Sequence, residues 1–278
     1  MEQEKKLILV TWDFTEKSEF ALEHAVNIAN ALSYEIGLIH IVKKESDIPA
    51  LEKDLEKIME TKFSHISPKP IFFMREGSIF HTISEVASDI NARMVIMGTH
   101  GIKGMQKLLG SWALKVIASS KVPFIVVQAP PISKTYKNII IPVNYRREHK
   151  ESINWAYFFS KAFRSHFHVF VARHTDPNFV KGLESNMIFI NKYFKSKGIA
   201  FDTYTAPGEN DFSKEVIDFT KEKEADAILL MTTKDIGFAD YVLGASEQYI
   251  IANSEKIPVI AINPRPAKIG GGFRPSGG

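Results

Sequence analysis

Two stretches about 130 residues apart, Lys121-Val-Pro-Phe-Ile-Val126 and Lys256-Ile-Pro-Val-Ile-Ala261, share one pattern: a lysine, a proline and a short apolar run. A glycine turn precedes each, Leu109-Gly-Ser111 in the first and Leu243-Gly-Ala-Ser246 in the second. Lys5 to Thr11 is echoed by Tyr136-Lys-Asn-Ile-Ile-Ile-Pro-Val143. A repeat of this period is too long for a solenoid and suits a duplicated domain. The 278 residues are enough for two domains of ordinary size. The expected boundaries are 1–129 and 136–264, joined by the proline-bearing linker Ala129-Pro-Pro-Ile-Ser-Lys-Thr135. Residues 265–278, rich in glycine and proline, are expected to form a flexible tail.

Within the first unit, apolar runs alternate with helical patterns. Lys6 to Trp12 reads as a strand, and Glu16 to Leu32 as a helix with Phe20, Ala21, Ala25, Ile28 and Ala29 on one face. Thr15 is the expected N-cap. Strands follow at Ile36 to Val42, Ile71 to Met74 and Met94 to Met97, separated by helices at Ile48 to Phe63 and Ser78 to Ile90. In the second unit, strands are expected at Phe167 to Ala172, Phe201 to Thr205 and Ala227 to Met231, with helices at Ser152 to Phe163 and around Val216 to Glu224. Strand–helix alternation implies an α/β fold with a mainly parallel sheet covered on both faces.

The stretch from Ala92 to Gln128 has the chemistry of an anion site. Behind the buried run Met94 to Met97 come Gly98, Gly101 and Gly104, then Lys103 and Lys107, then Gly110-Ser111 at the start of a helical pattern. Glycines admit backbone N–H groups close to a phosphate, and a helix start adds unpaired donors and a favourable dipole. Ligands of such sheets sit at the carboxyl ends of strands, where Asp13, Ile41 and Gly98 all lie. The carboxylate of Asp13 can accept from a ribose hydroxyl or an adenine amino group; alternatively, it merely caps the first helix beside Thr15.

The order of these residues resembles the universal stress protein family, whose nucleotide-binding members carry a G-x2-G-x9-G-(S/T) signature after the fourth strand. Gly98-Thr-His-Gly101 matches its first half and Gly110-Ser111 its second, with eight intervening residues, 102–109, in place of nine. The family also commonly has proline where Thr11 stands. The resemblance covers nearly the whole chain as a tandem member. It implies two doubly wound domains, each a five-stranded sheet of order 3-2-1-4-5 flanked by helices. It further implies an adenine nucleotide, ATP first, held by Thr11, Asp13, Ile41, Met97, Gly98, Gly101, Gly110, Ser111 and Trp112. Ser111 would reach a nucleotide-bound magnesium ion. His100, Lys103 and Lys107 are loop residues that phosphate contact and plain solvation would explain alike. In the family the last strands of paired domains meet, so Phe124 to Val127 and Val259 to Ile262 are expected to pair as an internal dimer, with a homodimer as a further step.

The second unit lacks this chemistry. Thr232-Thr-Lys-Asp235 replaces the Gly98 to Gly101 segment, Asn144 replaces Asp13, and Ala245 separates Gly244 from Ser246. An acid at the second glycine position would repel phosphate. His166 and His168 alternate on one strand and face the same side, so a zinc site is conceivable, but sequence spacing supplies no third ligand.

Composition narrows the partners. A net charge of +3 does not argue for nucleic acid. No window approaches the roughly 18 apolar residues of a membrane helix, and the N-terminal apolar run is too short for a signal peptide. With no cysteine, the chain suits a reducing compartment, and the expected location is cytoplasmic. No serine elbow or triad is identifiable, and no catalytic base or arginine finger accompanies the glycine loop. The reading is a stress-response regulator that binds nucleotide with little or slow hydrolysis. The alternative is a structural or interaction module of the same family that binds none.

Overall fold

The computed structural model describes residues 6–100, 111–146, 150–232 and 243–264. The first half runs β1 (Leu7–Thr11), α1 (Glu16–Leu32), β2 (Glu35–Val42), a 3-10 turn at Glu45–Asp47, α2 (Ile48–Thr61), β3 (Ile71–Glu76), α3 (Ile79–Asp89), β4 (Met94–Gly98), α4 (Ser111–Ser119) and β5 (Phe124–Val127). The second half repeats this order as β6 (Asn138–Val143), α5 (Lys150–Phe163), β7 (His166–Val171), α6 (Pro177–Lys197), β8 (Phe201–Thr205), α7 (Phe212–Glu222), β9 (Ala227–Met231), α8 (Ala245–Ile251) and β10 (Val259–Ile262).

Among the described residues the strands lie in one ten-stranded sheet of order β3-β2-β1-β4-β5-β10-β9-β6-β7-β8. Each half therefore has the order 3-2-1-4-5, with parallel pairing inside it. The halves join through β5 and β10, which pair antiparallel with Ile125 opposite Ile260. Neither strand is left as an exposed apolar edge, which removes the main aggregation hazard of such sequences.

The central strands are apolar at every position because helices cover both faces. On one face α1, α2, α5 and α6 pack Leu22, Ile28, Leu55, Phe159 and Phe194 against Ile8, Val10, Ile125, Ile139 and Ile260. On the other, α3, α4, α7 and α8 pack Ile83, Ile117, Val216 and Ile251 against Leu9, Val95, Val126, Ile228 and Val259. Both layers run through the β5–β10 seam, so the two halves share one core. The seam is also tied by polar side chains in a symmetric way. Gln128, just past β5, donates to the Asn253 carbonyl at 3.0 Å, and Asn263, just past β10, donates to the Ser120 carbonyl at 3.0 Å.

The helix α6 was not anticipated, although its ends are marked in the sequence. Asp176 caps it by accepting from the Asn178 N–H at 2.8 Å, Pro177 opens it, and Gly198 ends it in the left-handed region at φ +62°. Among the described residues no helix is long and apolar enough to cross a membrane.

Candidate functional site

The order β2-β1-β4 places a topological switch at the carboxyl ends of β1 and β4, the position where open α/β sheets leave a crevice. Val10 pairs with Ile96 and Thr11 with Ile39, so Thr11, Ile41, Met97 and Gly98 sit on adjoining strand ends. Met97 is buried in the layer under α3 and α4, and the half-buried Ile41 packs on the same layer. Thr11 follows Leu7 and Leu9 on that face by strand alternation.

Past β1 the chain turns sharply. The Trp12 N–H donates to the Ile39 carbonyl at 2.8 Å, and His40 Nδ1 donates to the Trp12 carbonyl at 2.7 Å. Phe14 then takes φ +62°, a conformation costly for a bulky side chain and common where function over-determines the backbone. Its ring lies edge-on to Trp12 and His40, with centroids 6.2 and 5.0 Å away.

Asp13 is exposed at this turn. Its Oδ1 accepts from the Thr15 N–H at 3.0 Å and from the Thr15 hydroxyl at 2.6 Å. Thr15 does occupy the N-cap position of α1, but its hydroxyl serves Asp13 and makes no bond to the helix. The Asp13 Oδ2 carries no hydrogen bond among the described residues. Asp13 therefore holds the turn ahead of α1 and does not cap the helix itself, while its Oδ2 stays open to a ligand.

Gly98 has a packing role of its own. A Cβ at that position would lie 1.9 Å from the Lys17 carbonyl oxygen, so only glycine lets the end of β4 pass beneath the first turn of α1. Lys17 itself is held by its ammonium donating to the Gln128 carbonyl at 2.8 Å. Beyond Gly98, Thr99 is buried and its N–H donates to the Val127 carbonyl at 2.9 Å, while His100 is exposed. Gly101, Lys103, Lys107 and Gly110 lie outside the described residues, as do the side chains of Ser111 and Trp112. Ser111 begins α4 as its first residue, at the helix start expected for it. Three cavities bounded by described residues lie elsewhere, beside Ser33 and Tyr34, beside the linker at Pro130, and beside Tyr204 and Glu215.

The equivalent crevice of the second half carries an internal ion pair. Asn144 Oδ1 accepts from the Arg146 N–H at 2.9 Å, the same two-residue turn that Asp13 makes with Thr15. Arg146 reaches the buried carboxylate of Glu247 at 3.6 Å. Glu247 folds back over the start of α8, so that a Cβ on Gly244 would come within 2.3 Å of its Oε2. A carboxylate of the chain thus sits where an anionic ligand would approach, and it satisfies the positive end of the helix. Residues 233–235, the counterpart of the glycine loop, lie outside the described residues.

The histidine pair of β7 gains a third group. His168 stands opposite Asp202 on β8, and His166 Nε2 lies 2.8 Å from Asp202 Oδ2. Asp202 was not legible in the sequence, because cross-strand register is set by the fold. Burial, then the charge of His166, holds the His168 imidazole below its ordinary proton affinity.

Comparison with known proteins agrees with this architecture. The model of the universal stress protein family matches residues 5–128. Universal stress protein A homolog 1 of Coxiella burnetii is 26% identical over 128 residues, covering 40% of this chain and 88% of the relative. A universal stress protein of Methanocaldococcus jannaschii is 31% identical over 147 residues, covering 45% of this chain and 83% of the relative. Among solved structures, a universal stress protein from Archaeoglobus fulgidus superposes with a TM-score of 0.68 at 16% identity, over 95% of this chain and 100% of that one. That likeness is one of fold, and it spans both halves. With the sheet order, the duplicated halves and the relatives in agreement, the chain belongs to the universal stress protein family as a tandem member.

Proposed function

We propose that the chain is a stress-response regulator that binds one adenine nucleotide, ATP first, at the carboxyl ends of β1 and β4. The observation that carries this reading is the switch point itself, where Thr11, Asp13, Ile41, Met97 and Gly98 border one strand-end crevice. Asp13 would accept from the nucleoside through its free Oδ2, and the backbone near Ile41 and Met97 would face the base. The segment from Gly101 to Gly110, with Ser111 and Trp112, would close on the phosphates, and Ser111 would reach a magnesium ion bound to them. Hydrogen bonds to charged groups contribute roughly 1.5–3 kcal/mol each, so a few backbone donors suffice for useful affinity. Binding with a conformational readout, in place of rapid hydrolysis, is the role assigned to the site.

The second half supports a structural role. The Arg146–Glu247 pair lies beside the strand end and helix start that correspond to the nucleotide site, which favours one ligand per chain. The β5–β10 seam supports reading residues 1–129 and 136–264 as two domains paired within one cytoplasmic polypeptide, with a homodimer as a further assembly. A second reading, a family module that binds no nucleotide, draws on the bond between Asp13 and Thr15, which gives the carboxylate a purely local task. Titration calorimetry with ATP, ADP, AMP and cyclic AMP, with and without magnesium, separates the two. Binding near one per chain supports the regulator, and no heat with any nucleotide from folded, nucleotide-free protein supports the module.

A further inference from the structure

We propose that His166, His168 and Asp202 form a binding site for a divalent transition metal, with zinc the best fit, on the face of the sheet in the second half. One nitrogen of each ring and one carboxylate oxygen all lie within 4.8 Å of one another. The grouping follows from strand geometry. His166 and His168 are two residues apart on β7, so they share a face, and β7–β8 register sets Asp202 directly beside His168. Two imidazoles and a carboxylate are a borderline donor set that suits zinc far better than the oxygen-preferring magnesium or calcium ions.

Several features prepare the three groups for an ion. His168 Nδ1 is buried with no hydrogen-bond partner among the described residues. Its Nε2 lies 3.4 Å from Asn138 Oδ1, a partner that can fix the ring once the other nitrogen is ligated. His166 and Asp202 are more open, with side chains 37% and 59% exposed, so an ion can enter from solvent and keep a water as a further ligand. Tetrahedral zinc holds its ligand atoms about 3.4 Å apart. The three groups reach that spacing by side-chain rotation, with the ion replacing the bond between His166 and Asp202. The nearby cation Lys223 lies over the Tyr204 ring at 4.7 Å and is paired with Glu222 at 3.0 Å, which offsets its repulsion of the metal.

The site would act as a clip. β8 is the outermost strand of the sheet in this half, and β7 is its neighbour, so the metal would tie an edge strand to the core. Ligand binding to the folded state alone raises its stability in proportion to the logarithm of free metal.

The test is calorimetric titration of the full, untagged, chelator-treated chain with zinc, alongside magnesium and the variants His168→Ala, Asp202→Asn and His81→Ala. The expected result is one zinc per chain, no competition from magnesium, and a rise in melting temperature with zinc. His168→Ala should abolish binding, Asp202→Asn should weaken it at least about tenfold, and His81→Ala should leave it unchanged. The exposed Asp202 can be replaced without disturbing the core, so it decides the matter if His168→Ala does not fold. No zinc bound by the parent chain would overturn the proposal. Zinc bound equally well by Asp202→Asn and His168→Ala would also overturn it, by assigning the metal to other groups.

Discussion

His24 of α1 and Tyr136 of the second half are joined by a hydrogen bond of 2.7 Å, with both residues buried. The other ring nitrogen of His24, Nε2, donates to the Ala129 carbonyl at 3.2 Å; burial keeps the imidazole neutral, so Nδ1 accepts from the Tyr136 hydroxyl. One histidine therefore binds both the start of the linker and the first residue past it. Burial pushes its pKa down to about 4 and pushes that of the Tyr136 hydroxyl up.

This bond makes stability depend on pH in a defined direction. His24 is depressed in the folded state, so the unfolded chain takes up a proton first as pH falls below about 6.5. The stability is whole above that value and declines towards pH 4, by about 3 kcal/mol for a shift of this size. Urea unfolding at stepped pH should show His24→Gln losing less stability than the parent chain over this window. Equal pH slopes would remove His24 from the account.

Gly98→Ala should destabilise the fold by more than about 1 kcal/mol, since the added methyl meets backbone that a side-chain rotation cannot clear. Chemical denaturation measures this directly. A neutral result would mean that β4 and α1 separate more easily than their packing implies.

Arg146→Ala should cost about 1–2 kcal/mol, because it removes a cation 3.6 Å from the buried carboxylate of Glu247. The half-exposed arginine keeps the figure below that of a fully buried pair. Glu247→Gln in the same background should recover part of the loss, which a double-mutant cycle in urea would read.

Ile260→Ala at the seam removes a fully buried side chain that stands opposite Ile125. The expected loss is about 2–5 kcal/mol. Because the core is continuous across the seam, unfolding should remain a single transition in both chains. Two separated transitions in the parent chain would show the halves to be independent.

Much of the fold was legible before any coordinates. The apolar runs and the proline and glycine punctuation located the strands, and β5, β8, β9 and β10 begin and end at the expected residues. Strand ends elsewhere moved by one or two residues, because pairing with a neighbour decides where a strand stops. The helix α6 was missed because its amphipathic stripe is shared with exposed apolar residues such as Ile188, which blurs the period. Site features that depend on contact across strands were not legible. The clash that fixes Gly98 and the place of Asp202 beside two histidines arise from packing and register. Residue type named Asp13 both as a ligand candidate and as a cap beside Thr15; geometry shows its local bonds go to Thr15 itself, ahead of the helix.

The central claim, one nucleotide site per chain in the first half, is tested most directly by titrating ATP into Asp13→Ala and Asn144→Ala beside the parent protein. The two residues make the same turn bond in the two halves, so each variant controls for the local disturbance in the other. The account predicts about one ATP per parent chain, affinity lowered about 10- to 100-fold by Asp13→Ala, and no change with Asn144→Ala. Equal affinity in Asp13→Ala and the parent chain, or a loss confined to Asn144→Ala, would contradict it.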